Sequence, residues 1–206
     1  MHIEFLVEEQ SAEAALSEFL PGLLGENVAF QIHPHQGKRH LLNTLPGKLR
    51  GYSKWLPNDW RIVVLPDLDG QECGELKKKL EQIAREANLT TKTFAAGQGL
   101  FHVLNRIAIE ELEAWFFGDV EAMCTAYPGV PRTLATKTAF RDPDAIRGGT
   151  WERLERVPKA AGYFKGGLTK IAAAREIAKH MQADRNRSHS FGVFRDGLRA
   201  MVRGVL

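Results

Sequence analysis

Cysteine is scarce in this chain: Cys73 and Cys124 are the two in 206 residues. They form no Cys-x-x-Cys pair, which excludes a disulfide framework and the usual zinc and redox spacings, so two reduced thiols in a cytoplasmic protein are expected. Long apolar runs are missing as well. No stretch approaches the roughly 20 residues that span a bilayer, and the opening MHIEFLVEEQ carries acids where a secretory leader needs a basic start. The expectation is a soluble protein with no membrane partner. There is no internal repeat, no low-complexity tract and no Ser/His/Asp or Cys/His arrangement, and GKRHLL lacks the upstream glycines of a phosphate-binding P-loop.

What is present is charge, unevenly spread. Lys and Arg against Asp and Glu number 12 and 18 over residues 1–130, a net of −6, but 16 and 7 over residues 131–206, a net of +9. A basic C-terminal third is the electrostatic footprint of a phosphate-rich partner such as nucleic acid, and equally of a solvated basic surface.

The pattern along the chain alternates. HIEFLV reads as a strand, SAEAALSEFLPGLL as a helix with Ser11 as its N-cap, and VAFQIHPH as a second strand. GKRHLLNTLPGKLRGYSKWLPNDW mixes a helical run with Pro and Gly stops before the strand RIVVLPDLD, where Pro66 marks a strand end. An amphipathic helix GELKKKLEQIAREANL follows, then a strand around TKTFAA, the strand FHVLNRIAI and a helix EELEAWFFGDVEAMCTAY. Such alternation implies an α/β core with a mainly parallel sheet over residues 1–127. Past Pro128 the sequence turns basic and shows no strand pattern, with helices at GGLTKIAAAREIAKHM and SFGVFRDGLRAMVRG, so residues 128–206 are expected to be a helical extension packed on that core.

Three acidic clusters fall at comparable places: Glu8 and Glu9 after the first strand, Asp67 and Asp69 after a later one, and Glu111 and Glu113, beside Glu110, after FHVLNRIAI. In an open parallel sheet, ligands sit beyond the carboxyl ends of the strands, so all three are candidates for one rim. Period-two geometry would point Asp67 and Asp69 to one face, with Gly70 turning the chain behind them. Oxygen ligands without His or Cys suit Mg²⁺, Mn²⁺ or Ca²⁺ better than Zn²⁺. The plainer reading of Asp-x-Asp is a helix cap or turn former, and of Glu8 and Glu9 a pair of first-turn acids favoured by the helix dipole. The segment HPHQGKRH, with His33, His35, Lys38, Arg39 and His40, is a loop that could touch phosphate or be an ordinary polar loop. Trp115, at helical spacing with Leu112 and Phe116, reads as core.

The order VEEQSAEAAL, VVLPDLDGQEC with LKKKL, RIAIEELEAWFFGD, FRDPDAI, GGTWERL and NRSHSFGVFRDGL resembles a bacterial family catalogued as a domain of unknown function. That family is similar in its core to Toprim domains, the metal-binding fold of topoisomerases, primases and overcoming-lysogenization-defect-type nucleases. The resemblance covers nearly the whole chain and implies a Toprim-like, Rossmann-type sheet. Glu8 matches the Toprim glutamate, Asp67 and Asp69 match its Asp-x-Asp, and the later acidic segment falls on Glu111 and Glu113. Glu9 stands where the pattern has glycine, and either adds a ligand or narrows access.

The resemblance implies a nuclease in which Mg²⁺ or Mn²⁺, held by Asp67, Asp69 and Glu113, binds a scissile phosphate and activates water, with Glu8 as general base or acid. Tyr52, Tyr127 and Tyr163 lie in no nucleophile motif, which favours hydrolysis over strand passage. Lys38, Lys165, Lys170, Arg175 and Arg187 are the expected backbone contacts to DNA or RNA. Relatives are often encoded beside an AAA or ABC-type ATPase and similar pairs act in phage defence, which implies such a partner; a homodimer is compatible with the same reading. Two alternatives stand beside it: a non-catalytic subunit that docks on an ATPase, and a phosphohydrolase of small nucleotides.

Overall fold

The computed structural model describes residues 1–95, 100–164 and 166–204. Four strands form one parallel sheet: β1 (His2–Val7), β2 (Ala29–Pro34), β3 (Trp60–Leu65) and β4 (Val103–Asn105), in the order β2-β1-β3-β4. This is the expected α/β architecture with a parallel, Rossmann-type sheet. Among the described residues after Pro128 there are helices and 3-10 turns and no strand, as the sequence implies.

The chain divides into two compact units. The first holds Met1–Glu9, Leu24–Ile107 and the residues from Val193 on; the second holds Gln10–Leu23 and Ala108–Gly192. In the first unit the two inner strands are apolar on both faces, as strands of a covered parallel sheet must be: Ile3, Phe5, Leu6, Val7 and Ile62 to Leu65 are buried. Helices α2 (Lys38–Tyr52) and α3 (Cys73–Glu86) pack together and bury Leu41, Leu45 and Leu49 on one and Leu76, Leu80, Ile83 and Ala84 on the other. Each such side chain contributes about 1.5–3 kcal/mol relative to an exposed position.

The second unit is built on aromatic rings. Trp115, on α4 (Ala114–Gly118), has ring contacts with Phe19 of α1 (Gln10–Leu24) at 6.4 Å and with Phe191 of α8 (His189–Arg203) at 5.2 Å, and Phe19 meets Phe191 at 5.7 Å. The indole N–H donates to Ser190 Oγ at 2.9 Å, which satisfies its one polar atom. Trp115 is thus a core residue, as its spacing implies. The unit also contains α5 (Val120–Ala126), α6 (Thr150–Ala160), α7 (Lys170–Ala178) and the 3-10 turns Arg132–Thr136, Thr138–Phe140 and Pro143–Ala145.

Several local expectations are corrected. The first helix begins at Gln10, so Ser11 is a buried helical residue and not the cap. Pro46 and Gly47 do not stop α2, because the Leu41, Leu45 and Leu49 stripe outweighs the lost hydrogen bond. Of TKTFAA, Thr91 forms a single bridge to Val103 and residues 92–95 turn, while Ala96 lies outside the described residues, and FHVLNRIAI yields only three strand residues. The helix expected over 110–127 is cut in two at Asp119, which leaves helical geometry at φ −123° and caps α5.

Asp119 also holds the second unit together. Its buried carboxylate accepts from Arg185 Nε at 2.7 Å and Nη2 at 2.9 Å, from the Gln182 N–H at 2.9 Å and from the Ala122 N–H at 3.3 Å. Asp119→Ala leaves the Gln182 and Ala122 N–H groups without their acceptor while the 36% exposed Arg185 turns to water, so it is expected to destabilise the fold by about 1–3 kcal/mol, measured by denaturant unfolding.

Candidate functional site

Strand order sets where a site belongs. The connection from β1 leads outward to β2 and the connection from β3 leads outward to β4, so β1 and β3, adjacent in the sheet, form the point where the winding reverses. Val7 pairs with Leu65 at the end of that register. The residues that follow each strand are Glu8 and the loop Pro66–Gly70, and they meet: the Asp67 N–H donates to Glu8 Oε2 at 3.1 Å.

The loop is shaped by two left-handed residues, Asp69 at φ 46° and Gly70 at φ 68°. This corrects the period-two expectation, since the strand has ended at Leu65 and Asp69 lies in a turn. Asp67 is buried, while Asp69 is 45% exposed at its side chain. A lysine fastens the turn: Lys38 Nζ donates to the Leu68 carbonyl at 2.8 Å and lies 3.0 Å from Asp69 Oδ2. Lys38 is the first residue of α2, and that helix start hangs on the end of β1, with the Gly37 N–H donating to Glu8 O at 3.0 Å and the His35 N–H to Val7 O at 3.1 Å.

Glu8 carries the electrostatic tension of this rim. Burial holds its carboxyl above the usual range, the nearby Asp69 charge adds to that, and the Asp67 N–H and Lys38 offset it only in part. His35, at the end of β2, is buried, and its Nδ1–H donates to Val7 O at 2.8 Å. Burial pushes its pKa below 6.5, so it stands as the neutral Nδ1–H tautomer, with Nε2 buried and without a hydrogen-bond partner among the described residues. The HPHQGKRH segment is thus a strand end running into a helix: His33 binds Glu4, and His40 Nδ1 accepts from the Gln36 N–H at 3.1 Å.

In the second unit, Glu111 and Glu113 share Lys170, whose Nζ lies 3.9 Å from Glu111 Oε1 and 3.5 Å from Glu113 Oε2. Glu111 Oε2 accepts from Thr150 N at 2.9 Å, Thr150 Oγ1 at 2.7 Å and Trp151 N at 2.9 Å, and so caps the start of α6; these donors and Lys170 draw its carboxyl below the usual range against the cost of burial. Glu113 is fully buried with Lys170 Nζ 3.5 Å from Oε2. Of the bases proposed for nucleic acid, Lys170 therefore faces Glu113, Arg187 donates to the carbonyls of Arg141 and Phe117, and Arg175 lies 3.9 Å from Glu18. Lys165 lies outside the described residues.

A family model described as a domain of unknown function, DUF4276, matches residues 7–199. The chain belongs to the DUF4276 family. The match takes in Glu8, the Asp67 loop, Glu111, Glu113 and the basic helices, so both clusters of carboxylates fall inside the family's domain. No curated protein and no solved structure matches the chain. Nor is any described helix long and apolar enough to cross a membrane.

Among the described residues no group of three or more His, Cys, Asp or Glu side chains is arranged to hold a metal ion. Glu8 and Asp67, joined through the Asp67 backbone N–H, still suit Mg²⁺ or Mn²⁺, because such ions keep several waters and are commonly bound through one or two carboxylates together with substrate phosphates. The carboxyl of Glu8 held above its ordinary range is the charge deficit that a cation would relieve.

Two outcomes follow for stability. The fold disfavours ionised Glu8, so Glu8→Gln, which keeps an acceptor for the Asp67 N–H, is expected to raise the melting temperature at pH 7 in metal-free buffer. His35 works in the opposite sense. Its folded pKa is depressed, so below pH 6.5 the unfolded chain takes up a proton that the folded chain does not, and stability falls with pH. Melting scans between pH 7.5 and 5.5 are expected to fall more steeply for wild type than for His35→Asn.

Proposed function

We propose that this chain is a divalent-metal-dependent hydrolase of nucleic-acid phosphodiesters, of the Toprim type. The observation that carries the reading is the pairing of Glu8 with the buried Asp67 loop across the β1/β3 reversal, at the rim where open parallel sheets bind their ligands. Two carboxylates at the ends of apolar strands raise the cost of ionisation, and a function for the site gives a reason to keep them there. A bound Mg²⁺ or Mn²⁺ would supply a Lewis acid for the phosphoryl oxygen and a water of lowered pKa.

The chain's own groups have distinct parts in this reading. Glu8 and Asp67 hold the cation. A cation there would draw the Glu8 carboxyl back to its ionised form, so Glu8 would act as a ligand and orient the bound water. Lys38 brings an ammonium to the same rim, where it can face phosphate charge, and Asp69 positions it. The reading rests on these residues of the first unit. Glu111 and Glu113 are engaged with the α6 start and with Lys170, and they are assigned there to positioning rather than ligation.

The test is a titration of Mn²⁺ and Mg²⁺ read by melting temperature, beside hydrolysis of plasmid and of RNA. A ligand that binds the folded state alone adds about 2.7 kcal/mol at a hundred times its Kd. Wild type and Glu111→Gln are expected to be stabilised by metal and to cleave, while Asp67→Asn does neither. Equal stabilisation of wild type and Asp67→Asn would remove the site. Metal binding without any turnover would leave the chain as a docking subunit.

A further inference from the structure

The second unit contains an open pocket of about 220 Å³ lined by Thr138, Ala139, Asp142, Ala145, Arg147 and Arg153. Most other polar groups in that stretch have internal work. Asp144 accepts from Ser188 Oγ, Ser190 Oγ and the Ser190 N–H and fixes the start of α8, Glu111 caps α6, and Arg187 holds two carbonyls. The two pocket arginines differ. Arg153 is tied by Nε alone, to the Arg147 carbonyl at 3.3 Å, and neither guanidinium is ion-paired among the described residues.

The backbone fixes this pair of cations. Gly148 and Gly149 follow Arg147 with φ of 78° and 79°, a left-handed double turn that folds Arg147 back toward the first turns of α6, where Arg153 sits. A side chain at Gly149 would collide with the Glu152 carboxylate as well as adopt a disfavoured φ, so the turn is specific to glycine. The pocket thus presents two planar guanidinium forks, whose geometry matches phosphate oxygens, and the Thr138 hydroxyl. One carboxylate accompanies them: Asp142 caps Asp144 N with Oδ1 at 3.1 Å and keeps its second oxygen for another donor.

Size narrows the ligand. At about 30 Å³ per water the pocket has room for roughly seven waters, more than a bare oxyanion fills, yet it falls short of the 300 Å³ or more typical of drug-sized sites. We infer that this open pocket binds the phosphoryl end of a phosphate ester such as a nucleotide, with Arg147 and Arg153 on the phosphoryl oxygens and Asp142 accepting from a hydroxyl of the adjoining sugar, while the rest of the nucleoside lies outside the pocket. The phosphoryl group can come from a terminal monoester or from a diester within a strand. The site uses none of the residues assigned to hydrolysis.

The test is isothermal titration of the full chain, in chelator, with 5′-AMP, with adenosine, and with a short single-stranded oligonucleotide carrying or lacking a 5′-phosphate. AMP is expected to bind one to one and adenosine not at all. Arg147→Ala and Arg153→Ala are each expected to weaken AMP by roughly tenfold or more, with Arg153→Lys between them and wild type. Among the described residues the Arg147 side chain makes no hydrogen bond or ion pair, so its variant is expected to melt as wild type does and to report binding alone. Binding of the 5′-phosphorylated oligonucleotide only identifies a terminal monoester as the ligand; equal binding of both identifies the strand diester. The inference is overturned if adenosine binds as well as AMP, if both arginine variants bind like wild type, or if Asp67→Asn abolishes the binding. Because the titration contains no metal and reads no turnover, it stands or falls separately from the hydrolase reading.

Discussion

Most of the first unit depends on the parallel pairing of β1 with strands on both sides. Six residues of β1 bond in register to β2 and to β3, which forces the chain to leave β1 toward one edge and β3 toward the other. The backbone that escapes the ladder at Val7 and Glu8 is then taken up by neighbours: His35 and Gly37 donate to it, and Asp67 donates to the Glu8 side chain. A buried sheet leaves few backbone groups unpaired, and here the last ones are satisfied by the loops that form the rim. The rim is therefore a by-product of hydrogen-bond completion, and any chemistry there inherits the rigidity of the sheet.

Rigidity has an electrostatic side. Glu8 is held where water would otherwise stabilise its charge, and the compensation comes from the backbone N–H groups of Asp67 and Lys38 and the Lys38 ammonium. Elsewhere the chain solves the same problem fully. Glu4 is surrounded by His2, His33 and Tyr52, which draw its carboxyl below the ordinary range against the cost of burial, and Glu81 is treated in the same way by Lys77, Thr91 and Asn105. Of these three carboxylates of the first unit, Glu8 is the one whose shift goes upward.

How much of this was legible in the sequence depends on how far apart the partners lie. Apolar runs identify β1 and β3, and Asp67 beyond β3 is visible as an acid after a buried strand; its meeting with Glu8 needs only strand order. The place of Asp69 is not legible by period two, because that rule holds inside a strand and β3 ends at Leu65. The role of Glu111 was hidden, since its acceptor function is defined by Thr150, 39 residues on. Pro46 and Gly47 look like stops locally, yet three buried leucines keep the helix whole. The Arg147 and Arg153 pair had a signal in the Gly148–Gly149 turn between them, but exposed bases six residues apart belong to no periodic pattern.

The segmentation of the first unit bears on how the chain is made. Arg106, directly after β4, donates through Nε to the Val193 carbonyl at 3.0 Å, across 87 residues, and its guanidinium packs where Gly197 leaves no room for a side chain. During synthesis β1 to β4 emerge well before that partner exists. The contact that covers Arg106 can form only after the whole of the second unit's later segment has been translated, so the first unit is completed last although its sheet is encoded first.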